Sequence, residues 1–415
     1  MFDSLERVRH LPFFTELASL EEDDPSWCAV SAGLVLLRLV DAWIEDGDVV
    51  VAADGWGVRS VEACLEEVPA GMPARAILMS TLTTLVAARC GDMHAVAPRL
   101  MAYARTLDLD AKWALAADVY DTVLAHVHPE EESEVVVTAM LRRGHCVREL
   151  GDLAAASSSF NTAAELAHRS GDMIGTLRAR IGEAKIVFAR GNLPAAEAIL
   201  EETAVRASEH QLLEVRSMAT HDRALIAYAR GQYDRAVRFA YDALHDSVNE
   251  TERDRILGDL ATSFSMLGVK SAARDANLIL AATARGQFQR WVATINLMEL
   301  AAEDAVAVQF ERYRQQLDVA DLPPFLRAQF ELHVGRGYQL FGRFSEAKQW
   351  LDRALGSATA HSFNQLIFAT ETALAQNMAP REARVLTTAF NIPRDVRLIA
   401  TELRERRRLT EATSR

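Results

Sequence analysis

The 415-residue chain is 50% hydrophobic and 25% charged, with 69 Ala, 20 Gly and only 11 Pro. That composition favours helix, leaves few turns for a β-sandwich or barrel, and is too apolar for wholesale disorder. Its formal charge of −13 makes the surface as a whole repel nucleic acid and acidic membranes.

From the N-terminus, MFDSLERVRHLPFFTEL places acids early and lacks the basic-then-apolar order of a signal peptide. Residues 1–28, with their EEDD run, read as an N-terminal cap. The longest apolar stretch, Ala76 to Ala88, is broken by Ser and Thr, so no segment is expected to span a bilayer. Cys28, Cys64, Cys90 and Cys146 form no CxxC pair and read as reduced, small apolar residues, which makes the cytoplasm the expected location.

Residues 29–128 read as divergent helical hairpins, with Gly47 and Gly91 as turns and an extra helix around Lys112–Val127. At the end of that helix, His126-Val-His128 precedes Pro129 and Glu130 to Glu132. Two His at i, i+2 point to different sides of a helix, so a helix start outweighs a metal site.

From 129 to 360 a period emerges. Gly151, Gly191, Gly231, Gly268 and Gly342 are spaced by 40, 40, 37 and 74 residues, so one repeat lies hidden between the last two. Five residues after each Gly stands Ala: Ala156, Ala196, Ala236, Ala273 and Ala347. Seven residues before each stands another small residue: Gly144, Ala184, Ala224, Ala261 and Gly335. Gly ends a first helix at φ > 0, Asp152 or Asn192 can cap the second, and paired small residues let the two helices approach closely. Residues 286–301 and 304–317 fill the hidden repeat, with Asp321–Pro324 as its break.

Residues 361–415 read as a C-terminal helical cap with an Arg-rich last helix. Met378–Phe390 resembles the opening helix of a LuxR-type DNA-binding domain, and Asn391–Leu409 is loosely similar to its recognition helix. The middle helix is missing, so a three-helix core cannot close. A cap exposing Arg404, Arg406, Arg407 and Arg408 is the favoured reading.

The repeats, best seen in HVGRGYQLFGRFSEAKQWLDRAL with Gly335, Tyr338, Gly342, Phe344, Ala347 and Ala354 in register, resemble the tetratricopeptide superfamily. The long period resembles the repeat regions of LuxR-type ATP-dependent activators and of peptide-sensing regulators. The resemblance implies an all-α solenoid of about eight hairpins forming a right-handed superhelix, with ligands on its concave face. That face would be lined by positions 13, 10, 6 and 3 before each turn Gly.

In this chain those positions include His145, Arg148, Arg178, Lys185, Phe188, Met218, His221, Tyr228, Arg255 and Arg336. Five are Arg or Lys, and the residues at these positions around the five turn glycines include no acid. The expected partner is therefore a protein or peptide with acidic and apolar residues, not a membrane and not nucleic acid. Chaperone-binding members need Asn and Lys at set places, and no Asn stands in this set. Walker A, GxSxG, HExxH and GxGxxG signatures are all missing, Gly268-Val-Lys270-Ser271 being the nearest approach. No catalytic residue, metal or cofactor is expected. The sequence therefore reads as a non-enzymatic binding scaffold. The alternative is a ligand- or peptide-sensing regulator of transcription with its basic C-terminal helix near DNA.

Overall fold

The computed structural model describes residues 8–21, 24–45, 55–88, 92–320, 322–361, 363–378 and 392–413. Among these residues the secondary structure is twenty α-helices and no strand. Gly47, Cys90, Gly91 and nearly all of Met378–Phe390 lie outside the described residues. The chain divides into two compact units, residues 1–203 and 204–415.

The first unit begins with α1 (Leu11–Ser19), α2 (Pro25–Glu45), α3 (Trp56–Glu67) and α4 (Pro73–Ala87). It continues with α5 (Met93–Leu109), α6 (Trp113–His126), α7 (Ser133–Glu149), α8 (Leu153–Ser170), α9 (Met173–Ala189) and α10 (Leu193–Glu209), inside which the division falls. Contrary to the expectation from sequence, α2 is long and apolar enough to cross a bilayer, with a mean hydropathy of 1.6 over an 18-residue window. Half of that window is buried in the protein, with Leu36, Leu37 and Val40 inside the unit's core. Its one buried acid, Asp41, meets His10 at 3.2 Å and His126 at 3.0 Å. Burial alone would raise the Asp41 pKa, but those two histidines hold it well below the usual carboxylate range. His126 is thus a packing partner of α2.

The hairpins form as the glycine spacing requires. Gly151 (φ 87°) and Gly191 (φ 82°) end α7 and α9 in the left-handed region. Asp152 and Asn192 accept hydrogen bonds from the backbone N–H of Ala155 and Ala195, at 2.8 and 3.2 Å. Ala156 and Ala196 are fully buried. Phe160 on α8 needs the two glycines it faces: a Cβ on Gly144 would lie 2.8 Å from its Cε1, and one on Gly182 2.6 Å.

The second unit holds α11 (Leu213–Ala229), α12 (Tyr233–Asp246), α13 (Glu250–Met266), α14 (Lys270–Thr283), α15 (Gln287–Glu303) and α16 (Ala307–Asp318). It ends with α17 (Pro324–Leu340), α18 (Phe344–Ala360), α19 (Asn364–Met378) and α20 (Arg394–Thr413). The hidden repeat is the α15–α16 hairpin, and its turn residue is Ala305, at φ 58°. Ala305 is 37 residues after Gly268 and 37 before Gly342. Ala111, at φ 57°, does the same between α5 and α6, 40 residues before Gly151. Seven hairpins, from α5–α6 to α17–α18, therefore share one left-handed turn position among the described residues.

After Gly268, Lys270 is committed to Glu303 at 2.8 Å and Asp304 at 3.8 Å, so this segment is a hairpin turn with a structural lysine. At the C-terminal end α19 packs on α17 and α18. The last helix, α20, does not continue that stack. It lies against α14 and α12, burying Val396, Ile399 and Leu403. Arg407 Nε reaches Asp275 of α14 at 3.0 Å and Arg404 Nε reaches it at 3.8 Å. Arg408 pairs with Glu405 at 3.0 Å, so three of the four expected exposed arginines have carboxylate partners.

Candidate functional site

In the first unit the first helices of successive hairpins, α5, α7 and α9, pack side by side and carry the register positions. Asp108, buried on α5, receives Arg105 Nη1 at 2.6 Å and faces His145 Nε2 of α7 at 3.2 Å. Burial works against that carboxylate's charge, but His145 and Arg105 hold its pKa below the ordinary value. Arg148 sits beside His145 (Nη2 to Nδ1, 3.3 Å) and pairs with Glu149. Arg178 and Lys185 are half-buried on α9, and Phe188, at 37% exposure, follows them toward its end.

One residue of this face falls outside the predicted positions. Arg142, nine residues before Gly151, is half-buried on α7 and has neither a hydrogen bond nor an ion pair among the described residues. Its pKa is lowered first by burial and then by repulsion from Arg105, with a smaller push from Arg178, against the opposing influence of Tyr120 and Asp108. Guanidinium groups from α5, α7 and α9 are thus close enough to repel one another, and Asp108 is the buried acid among them. Arg142 is the member of this group without an ion pair among the described residues, and an added anion there is favoured.

In the second unit His221 and Arg255 meet acids. His221 on α11 is 1% exposed, with Nε2 2.8 Å from Asp259 and Nδ1 3.2 Å from Glu252, both on α13. Burial lowers its pKa, but the two carboxylates outweigh that and raise it to about 9. Arg255 is exposed and lies 3.4 Å from Glu252. Met218 is half-buried, and Tyr228 packs edge-on to Tyr233 at 5.4 Å. Arg336 points its Nη2 to the Ala369 carbonyl of α19 at 3.5 Å, and Gln339 donates to the Ala373 carbonyl at 2.7 Å.

The single basic set expected from sequence therefore separates into two environments, each within its own unit. Two signals account for the difference. The hidden repeat contributes Glu299 six residues before Ala305, 3.4 Å from His333, so the set includes an acid once that turn is known. The position nine before the turn is Ala102, Arg142 and Gly182 in the first unit and Asp222, Asp259, Asn296 and His333 in the second, so acids stand there in the second unit alone. Among the described residues no three His, Cys, Asp or Glu side chains are grouped to hold a metal ion.

No protein-family description matches the chain, and no curated protein matches it. Solved structures do. The apo quorum sensor NprR from B. thuringiensis is 14% identical, with 78% of this chain and 97% of that chain covered and a TM-score of 0.47. NprR in complex with its cognate peptide NprX covers 81% and 98% at 14% identity, TM-score 0.45. The Rap conjugation gene regulator of plasmid pLS20, in complex with the Phr* peptide, covers 85% and 98% at 12% identity, TM-score 0.46. Likeness at this level transfers no function. The fold itself, helix hairpins with small residues at two fixed positions and a left-handed turn between them, is tetratricopeptide-like.

Proposed function

We propose that the protein is a non-enzymatic, cytoplasmic binding scaffold that takes an acidic and apolar peptide segment on the first-helix face of its first unit. The observation that carries this reading is Arg142, half-buried, unpaired among the described residues and crowded by Arg105 and Arg178. A carboxylate of the bound segment would meet these guanidinium groups in a charge-assisted, bidentate contact. Phe188 offers an exposed aromatic contact on the same helix as Arg178. Arg148, Lys185 and His145 extend the face, with Arg148 paired to Glu149 and His145 to Asp108. The free thiols of Cys28, Cys64 and Cys146 are in keeping with a reducing compartment.

The test is fluorescence anisotropy with a panel of labelled ten-residue peptides that alternate acidic and apolar residues, against amidated and charge-reversed controls. Acidic peptides should bind and controls should not. Arg142→Gln should weaken binding by about tenfold, the loss of one charge-assisted contact. Equal affinity of the wild type and Arg142→Gln for every peptide would overturn the assignment.

A further inference from the structure

The hairpin of the hidden repeat borders an open cavity that the first-helix face does not use. It has a volume of about 500 Å³ and lies between α14, α15 and α16. Its walls from α15 include Arg290, Trp291 and Thr294, whereas the register positions on that helix are Val292, Ile295, Glu299 and Ala302. Cavities of several hundred Å³ with apolar walls and a few convergent polar groups are the usual size for small-molecule sites.

The electrostatics are one-sided. Arg290 is held by neutral oxygens only: Nη1 by the Ala284 carbonyl at 2.5 Å, and Nη2 by Gln287 Oε1 at 2.6 Å. Arg312 on α16 is exposed and makes no ion pair or hydrogen bond among the described residues. The acids of α16 turn to another arginine, with Glu311 2.7 Å and Asp318 3.4 Å from Arg314. No described wall residue is acidic, so two positive charges share the cavity with the rings of Trp291 and Tyr313 and the side chain of Leu278.

We propose that this cavity binds a small carboxylate carrying an aromatic ring, with the ring between Trp291 and Tyr313 and the carboxylate at Arg312 and Arg290. Stacking on the indole and phenol supplies the apolar contact. The guanidinium groups supply orientation and reject uncharged analogues, because Arg matches a carboxylate with paired donors.

The experiment is isothermal titration of the full chain with phenylacetate and indole-3-acetate, each beside its primary amide, and with a tetrapeptide ending in Phe. At least one free acid should bind, with its amide weaker by about tenfold or more. Arg312→Gln, a surface change that leaves the fold intact, should weaken the acid by about tenfold and leave the amide unchanged. Trp291→Ala should weaken both, and its thermal melt reports whether the α15–α16 hairpin survives. Arg142→Gln should have no effect here, which separates this cavity from the first unit's face. Binding of neither acid, binding by the tetrapeptide alone, or binding indifferent to Arg312→Gln would each overturn the proposal.

Discussion

The Phe310 ring occupies the space beside α17 that a side chain on residue 337 would need. A Cβ built on Gly337 would sit 2.6 Å from Phe310 Cζ. Phe310 stands five residues after Ala305, where the other six hairpins have Ala, and Met298 stands seven before it, where they have Gly or Ala. Both large side chains are fully buried. Phe310 meets Tyr338 and Phe341 edge-on at 5.4 and 5.2 Å. The next hairpin thus supplies the missing small residue. We predict that Gly337→Ala lowers the stability of the second unit by about 1–3 kcal/mol through overpacking. Adding Phe310→Leu should recover part of that loss in a urea titration. A single variant as stable as the parent would show that the contact relaxes freely.

Ala305 carries a related cost. It adopts φ 58° in the turn where the flanking repeats use Gly268 and Gly342. A non-Gly residue in the left-handed region costs about 1 kcal/mol. Ala305→Gly should therefore stabilise the α15–α16 hairpin by a few tenths to about 1 kcal/mol, less the added freedom of the unfolded chain. Gly342→Ala should destabilise by a similar amount. Urea midpoints of the two variants moving in the same direction would contradict this account.

These two positions also show where the sequence was legible and where it was not. Five turn glycines and their paired small residues betrayed the hairpin because each enforces a local backbone state or a close helix contact. The sixth turn met the same constraint with Ala305, Phe310 and Met298, so only its 37-residue spacing showed. Arg142 was missed for a different reason. Its significance depends on Arg105 and Arg178, residues of other hairpins, and no local pattern states which side chains those helices bring near it. The place of α20 was likewise hidden, since an amphipathic helix with Val396, Ile399 and Leu403 on one face fits any apolar groove.

That helix yields a prediction about forces. Its ion pair to α12, Arg238 to Asp395 with Nη2 3.3 Å from Oδ1, is open to solvent at the carboxylate and screened by salt, whereas Arg407 to Asp275 is mostly buried. Burial of three aliphatic side chains contributes more, about 1.5–3 kcal/mol apiece. We predict that α20 stays docked in 1 M salt but is released by Leu403→Ala. Hydrogen exchange of amides 394–413 reads this directly, with fast exchange expected in the variant and slow exchange in high salt. Release by salt alone would mean that the arginine pairs hold the helix.

His221 makes stability depend on pH with a definite sign. Its folded pKa, about 9, lies above the unfolded value of 6.5. The folded unit therefore binds the proton more tightly, and the stabilisation is fully present below pH 6.5. It is lost as pH rises through 9, where the folded state must also release the proton. Glu252 and Asp259 face the ring and Asp222 acts on it from the same helix, so the charge is internal to the packed unit. His10, between Asp118 at 2.7 Å and Asp41 at 3.2 Å, is raised to about 9 in the first unit and adds the same trend there. Comparing the parent with His221→Gln isolates the second unit, because the substituted side chain cannot take up a proton. The parent's advantage over the variant in urea should be largest near pH 6 and shrink by at most about 3 kcal/mol by pH 9.5. A gap that stays constant across that range would mean that His221 is neutral in the folded protein and that the two carboxylates do not hold its proton.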